Sequence, residues 1–128
     1  MDLDQAREFI RSNFHAVMAT RRPNGELQLS PVNVGVDGEG RAVVSTRETA
    51  YKTRNLRADP RVSLCVMTDK FFGEWIQIDG RAAVLSLPEA LEPLVDYYRR
   101  TYGEHDDWDK YRAAMQKERR VLMRITLE

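Results

Sequence analysis

The chain has 128 residues, 42% of them hydrophobic, and its 20 basic and 20 acidic residues give a formal net charge of zero. This length suits one domain with its own core, and the balanced charge argues against a nucleic-acid-binding module, which carries a basic excess. Cys65 is the only cysteine, so neither an internal disulfide nor a cysteine-based zinc site can form.

No stretch reaches the roughly 20 apolar residues of a membrane helix, and the acidic start of the chain lacks the basic and apolar segments of a signal peptide. We therefore expect a single cytoplasmic domain over residues 1–128, with no membrane or nucleic-acid partner.

A short helix opens the predicted fold. Asp2 or Asp4 can cap it through a side-chain carboxylate. Its apolar residues share one face, at Leu3, Ala6, Phe9 and Ile10. The period then changes, and the segment from His15 to Arg21 is predicted as the first strand.

Two turns enclose the second predicted strand. The pair Asn24-Gly25 is a strong hairpin signal, and residues 37–40 form the next turn. Between them, the apolar residues of Leu27 to Val36 lie on one face before Pro31 and on the other face after it. Because proline cannot donate to a sheet, this switch predicts a bulge or bend at Pro31.

The middle of the chain combines short strands with one short helix. Ala42 to Thr46 is predicted as a strand, and Thr49 to Ala58 as a helix that the following Asp-Pro pair ends. Arg61 to Thr68 is a strand that is largely apolar on both faces, so both faces should be covered. Glu74 to Ser86 is too long for a simple strand, and Gly80 within it predicts a bulge or a barrel corner.

Two helices and a last strand complete the predicted fold. Residues 86–89 (Ser-Leu-Pro-Glu) match a capping box and predict a helix that ends at Gly103. Asp106 or Asp107 can cap the next helix. Val121 to Leu127 alternates as the final strand. Six strands joined mostly by short turns, with helices between them, describe an α+β fold built on an antiparallel barrel.

The segment whose composition differs most from the rest of the chain is rich in basic residues. Residues 47–61 carry five basic residues against two acidic ones. Hydroxyl groups precede the predicted helix at Ser45, Thr46 and Thr49. A helix N-terminus favours an anion, so the segment predicts a phosphate cradle in which Lys52 and Arg54 donate. The alternative is a basic helix face exposed to solvent.

No set of catalytic side chains is evident in the sequence. His15 and His105 are the only histidines, and neither has a serine, cysteine or aspartate at a recognisable catalytic spacing. Cys65 alternates within an apolar strand, which indicates core packing rather than a nucleophile. The aromatic residues of segment 69–75 could pack in the core, cover a flat ligand or form a dimer contact. We therefore expect no metal site, and any reactive atoms should belong to a cofactor.

Several short blocks of the chain together resemble one family. They are Ala19-Thr20, Gln28 to Val32, Ser45 to Arg47, Lys52 to Arg57, Asp59 to Arg61, Gly103 to His105, Asp107-Trp108 and Tyr111-Arg112. Over nearly its whole length the chain resembles the split-barrel flavin and deazaflavin family that includes pyridoxamine 5′-phosphate oxidase. It is most similar to the actinobacterial branch that uses coenzyme F420. Two parts of this set are specific only in combination: the Lys52 to Arg57 block, and the group made of Gly103 to His105, Asp107-Trp108 and Tyr111-Arg112.

The resemblance implies an FMN-binding split barrel of six antiparallel strands with flanking helices, forming a homodimer with two equivalent cofactor sites at its interface. It implies contacts to the cofactor phosphate from Ser45, Thr46, Lys52, Arg54 and Asn55, with Arg47 as a further candidate. The cofactor ring would be lined by Gln28, Ser30, Pro31, Val32 and Asn33. Neighbouring strands, of the same or the second subunit, would add Met67, Trp75 and Gln77.

The activity that the resemblance implies is hydride transfer from reduced coenzyme F420, a deazaflavin, to an unsaturated or conjugated small molecule such as biliverdin. Two alternatives stay open. One is an FMN-dependent oxidoreductase of the pyridoxamine-phosphate-oxidase type, since FMN makes the same phosphate demand. The other is a non-catalytic protein that stores or shields a cofactor.

Overall fold

A closed barrel of six antiparallel strands forms the centre of the computed structural model, which describes every residue from Met1 to Glu128. The strands are β1 (His15–Arg21), β2 (Leu27–Val36), β3 (Ala42–Arg47), β4 (Arg61–Met67), β5 (Trp75–Leu85) and β6 (Arg120–Leu127). The helices are α1 (Leu3–Ser12), α2 (Tyr51–Ala58), α3 (Leu91–Tyr102) and α4 (Trp108–Lys117). Around the barrel the strands follow the order β1-β2-β3-β6-β5-β4, and β4 closes on β1. The predicted α+β antiparallel barrel is confirmed.

The hydrophobic core fills the barrel because alternate residues of each strand point inward. Met18, Val44, Leu64 and Met123 are at most 1% exposed. Helix α1 adds Ala6 and Ile10 to the same core. None of the helices is both long enough and apolar enough to cross a membrane.

A second, smaller core lies outside the barrel. Val43 of β3 and Leu122 of β6 point outward and pack against apolar residues of α3 and α4. Both helices are thereby fixed against one side of the barrel. Their aromatic residues come to lie next to the adjoining part of β2, since Tyr97 donates its hydroxyl to the Asn33 carbonyl at 3.1 Å.

The barrel is split between β2 and β3. These strands pair only where Val34–Val36 meets Ala42–Val44. The earlier part of β2 pairs with β1 alone, and Ser45–Arg47 pairs with β6 alone. The two unpaired strand edges face a gap, and α2 follows directly from the end of β3.

The predicted bulge at Pro31 is wrong. Strand β2 pairs with β1 without interruption, and Pro31 lies opposite Val17. The apolar residues change face because Leu27 and Leu29 belong to the outer surface, where they are 52% and 64% exposed. Proline is tolerated because this part of β2 has no strand on its other side.

Two of the four helix starts agree with the sequence prediction, and two differ from it. Asp2 caps α1 in a capping box with Gln5, and Asp107 caps α4, as the sequence predicted. The predicted start of α3 at Ser86 is wrong, because the helix begins at Leu91 with no side-chain cap. The Ser86 hydroxyl instead accepts a hydrogen bond from Arg57 at 2.7 Å. Helix α2 begins two residues later than the predicted Thr49, and Gly103 ends α3 as predicted.

Candidate functional site

A cavity of about 600 Å³ opens at the split in the barrel. Residues 31–33 of β2 form one side, and Ser45 and Thr46 of β3 contribute the other. Lys52 reaches it from α2 and Arg120 from the start of β6. The cavity therefore brings together residues from separate parts of the chain at the point where the sheet is interrupted.

Lys52 is a half-buried cation without a partner. It takes part in no ion pair and no side-chain hydrogen bond in the chain. Burial, and next the positive charge of Arg120, lower the pKa of Lys52 below its ordinary value. The nearby carboxylate of Glu118 is already bound by Arg120, at 2.8 Å and 3.0 Å. A buried charge is stabilised when it is paired, so this ammonium is suited to an anionic ligand.

Tyrosines form the wall of the cavity opposite the barrel. They are Tyr97, Tyr98 and Tyr102 of α3 and Tyr111 of α4. The Asn33 amide donates to the Tyr102 hydroxyl at 2.7 Å, which together with the Tyr97 bond fixes α3 to the open edge of β2. Burial raises the pKa of Tyr97 well above its usual range and that of Tyr111 to about 12. These two rings are therefore neutral at physiological pH, and the wall suits a flat, uncharged ring system.

Half of the residues implied by the resemblance line this cavity. They are Pro31, Val32, Asn33, Ser45, Thr46, Lys52 and Met67.

Three others line a second cavity of about 630 Å³ on another side of α2. They are Gln28, Arg54 and Asn55, beside the turn at Arg22. Lys52 and Arg54 thus do not form the single cradle that the sequence predicted. Residues two apart on a helix point roughly 200° from each other at 3.6 residues per turn. Arg54 instead lies over the Tyr51 ring, with its guanidinium carbon 5.5 Å from the ring centre.

Asn55 connects α2 to the inside of the barrel. It is only 6% exposed, and its amide donates to the Thr20 hydroxyl at 3.1 Å and to the Gln28 side-chain oxygen at 2.9 Å. Satisfied buried amides fix the position of the elements that carry them. This contact sets the placement of α2, and with it the direction in which Lys52 enters the first cavity.

The remaining implied residues line neither cavity. Arg47 is exposed and lies 3.7 Å from Glu118. Ser30 is half-buried on β2. Trp75 and Gln77 lie on the outer face of β5, opposite Met67 and Cys65 of β4, and so one strand farther from the first cavity.

Sequence reasoning missed the tyrosine wall, Arg120 and His15 as parts of one cavity. The tyrosines of α3 and α4 follow helical spacing, which predicts core packing and gives no sign of a ligand. Arg120 and His15 each begin a strand and belong to no motif. Only the closure of the barrel brings these residues together, so no local signal could have found them.

The chain matches one protein-family model and is similar to solved structures. The family model described as pyridoxamine 5′-phosphate oxidase matches residues 3–128. A conserved hypothetical protein from Mycobacterium tuberculosis is 28% identical, with a TM-score of 0.78 over 100% of this chain and 81% of that one.

Two further solved structures are similar in fold. An F420 reductase is 19% identical, with a TM-score of 0.71 over 95% of this chain and 92% of that one. The heme storage protein HutZ from Vibrio cholerae is 18% identical, with a TM-score of 0.74 over 100% of this chain and 92% of that one. At these identities the likeness concerns the fold alone.

Proposed function

The chain belongs to the pyridoxamine 5′-phosphate oxidase family, and we propose that it is a coenzyme F420-dependent oxidoreductase that transfers a hydride to an unsaturated or conjugated small molecule. The observation that carries the proposal is the unpaired, half-buried Lys52 in a cavity walled by tyrosines. A ligand with an anionic group and a flat ring matches both features at once.

The residues at the split fit such a cofactor. Lys52 would bind its phosphate, with the hydroxyls of Ser45 and Thr46 as further donors close by on β3. Tyr98 and Tyr102 would offer apolar faces to its ring. When bound, the reduced deazaflavin supplies a hydride from a ring carbon, at the position where a flavin has nitrogen. The chain would contribute position, charge and exclusion of water rather than a nucleophile.

Coenzyme F420 is favoured over FMN by two similarities. The sequence blocks resemble the F420-dependent branch, and a solved F420 reductase has the same fold. FMN is the second candidate, because Lys52 and the tyrosine wall would suit its phosphate and ring as well. A role in cofactor storage is the third, and the heme storage protein HutZ is an example of this fold with a binding role in its name.

The deciding experiment is a side-by-side titration of the protein with coenzyme F420 and FMN, followed by turnover with the reduced form of each. We expect tighter binding of coenzyme F420, and oxidation of its reduced form by at least one acceptor from a panel of biliverdin, enones and quinones. Deuterium at the reactive ring carbon should appear in the product. Turnover with reduced FMN alone would establish the second candidate, and tight binding without turnover the third.

We also propose that the protein is a homodimer that acts in the cytoplasm. The outer face of β1, β2 and β4 leaves Val17, Leu27, Leu29 and Cys65 around a depression of about 600 Å³. One of these strands, β4, is the strand that the sequence predicts to be covered on both faces. An obligate interface buries on the order of 2,000 Å² or more and is rich in such apolar residues.

Replacing Leu29 by glutamate should dissociate the dimer. Two buried leucines, one from each copy, would stabilise the interface by about 1.5–3 kcal/mol each, so the dimer dissociation constant should rise by about 100-fold or more. Light scattering at micromolar concentration measures the mass, and Ala113→Glu on the exposed surface of α4 is the matched control. A monomeric mass for the unsubstituted protein would refute the dimer itself.

A further inference from the structure

His15 lies at the edge of the cavity at the split. As the first residue of β1 it is paired with Asn33 of β2 and with Met67 of β4, and all three line the cavity. Its Nδ1 lies 3.4 Å from a carboxylate oxygen of Asp69, in the loop that follows β4. Its ring packs edge-on against Phe14, with the ring centres 4.6 Å apart.

One nitrogen of the imidazole lies beside a carboxylate, and the other is available. Nδ1 faces Asp69, while Nε2 has no hydrogen bond within the chain. The side chain is 56% exposed, so water can reach it. An imidazole with a carboxylate beside one nitrogen and the other nitrogen free is an arrangement that general acid–base catalysis uses.

Four other polar groups of the cavity are less suited to giving up a proton. Lys52 is assigned to the anionic group of the ligand, and Arg120 is held by Glu118. Tyr97 and Tyr111 already donate to backbone carbonyls, and burial raises the pKa of both. Histidine is the side chain that ordinarily changes its charge between about pH 5 and 8.

We propose that His15 is the proton donor for the substrate, with Asp69 as its positioning residue. The proposal rests on the proposed function, because reduction by hydride leaves a negative charge that must be protonated. One atom of the acceptor's double bond takes up the hydride from the reduced deazaflavin, which is oxidised by two electrons. The π bond breaks, and its electron pair on the neighbouring atom takes the proton from Nε2. The neutral imidazole then regains a proton from water.

One carboxylate and two cations share this region with His15. Asp69 is the carboxylate that faces it, Lys52 and Arg120 are the cations of the same cavity, and Tyr102 adds a hydroxyl on the side of Phe14.

The test compares His15→Gln and His15→Ala with Gln116→Ala, at an exposed residue of α4 outside the cavity. Using the fastest acceptor of the panel, the two His15 variants should lose about 10²- to 10⁴-fold in kcat. Their affinity for coenzyme F420 should stay close to that of the unsubstituted protein. Added imidazole should partly restore turnover to His15→Ala. Gln116→Ala should keep the rate of the unsubstituted protein.

A second readout does not depend on turnover. With only two histidines, imidazole ¹⁵N NMR assigns each signal by its loss in the matching variant. Addition of oxidised coenzyme F420 should shift the His15 signals, and Asp69→Asn should shift them as well.

Unchanged kcat in His15→Gln, with an active unsubstituted protein, would overturn this inference alone. Failure of the unsubstituted protein to bind or oxidise reduced coenzyme F420 would overturn the proposed function, and this inference with it.

Discussion

Replacing Lys52 by methionine should weaken binding of coenzyme F420 by about 10- to 150-fold. A hydrogen bond to a charged group contributes about 1.5–3 kcal/mol, and each 1.4 kcal/mol is about tenfold in affinity. Methionine keeps the length and the apolar stem of the side chain, so the change isolates the charge. Titration by absorbance or fluorescence measures the dissociation constant.

The same substitution should not destabilise the protein in the absence of cofactor. Burial lowers the pKa of Lys52, which means that the folded state disfavours its charged form. This penalty is present at neutral pH and disappears as pH rises through the ordinary range for lysine, so Lys52→Met should melt at the same temperature or slightly higher. Lys110→Met, at an exposed lysine of α4, should change neither affinity nor stability. Unchanged affinity together with a lower melting temperature would show that Lys52 is structural.

Replacing Gly80 by alanine should lower the free energy of unfolding by about 3 kcal/mol, at the upper end of the usual cost of overpacking. Gly80 is the corner of β5, where pairing passes from β4 to β6: residues 75–81 pair with β4 and residues 80–85 with β6. A Cβ at Gly80 would lie 2.4 Å from the Thr126 carbonyl oxygen and 2.8 Å from a methyl of Ile125. The first of these atoms belongs to the backbone of β6, so relief requires movement of a strand.

Gly38→Ala is the matched control for this prediction. A Cβ there would lie 3.1 Å from the end of the Arg100 side chain, which can move away. Its effect should be neutral or slightly stabilising, because alanine restricts the unfolded chain. Chemical denaturation gives both free energies of unfolding from the midpoints. Equal midpoints for the two variants would mean that the corner at Gly80 yields without cost.

Gly80 and Lys52 lie in different parts of the fold. Gly80 allows β5 to bridge β4 and β6, which completes the barrel on the side away from the split. Lys52 uses the split itself, where β2 and β3 separate. A Gly80 variant that folds more weakly should therefore keep its cofactor affinity in the fraction that is folded.

The sequence by itself was sufficient for the number and order of the strands and helices and for the class of fold. All six strands and all four helices were predicted, because alternation of apolar residues and helix caps are local signals. Asp2 and Asp107 cap the helices that follow them without help from distant residues. The basic segment that the sequence singled out includes Lys52, at the cavity where we propose that an anionic ligand binds.

The site itself was decided by tertiary structure. The sequence could not show that Lys52 and Arg54 serve different cavities, because that depends on how Asn55 anchors α2 inside the barrel. It could not show that the Ser86 hydroxyl binds Arg57 rather than capping a helix.

The tyrosine wall and His15 meet Lys52 only because the barrel closes with β2 and β3 apart. Local patterns fix which residues are helix or strand and which face is apolar. The direction of a polar side chain is instead set by its hydrogen-bonding partner. That partner often comes from a distant part of the sequence and is in place only once the chain has folded.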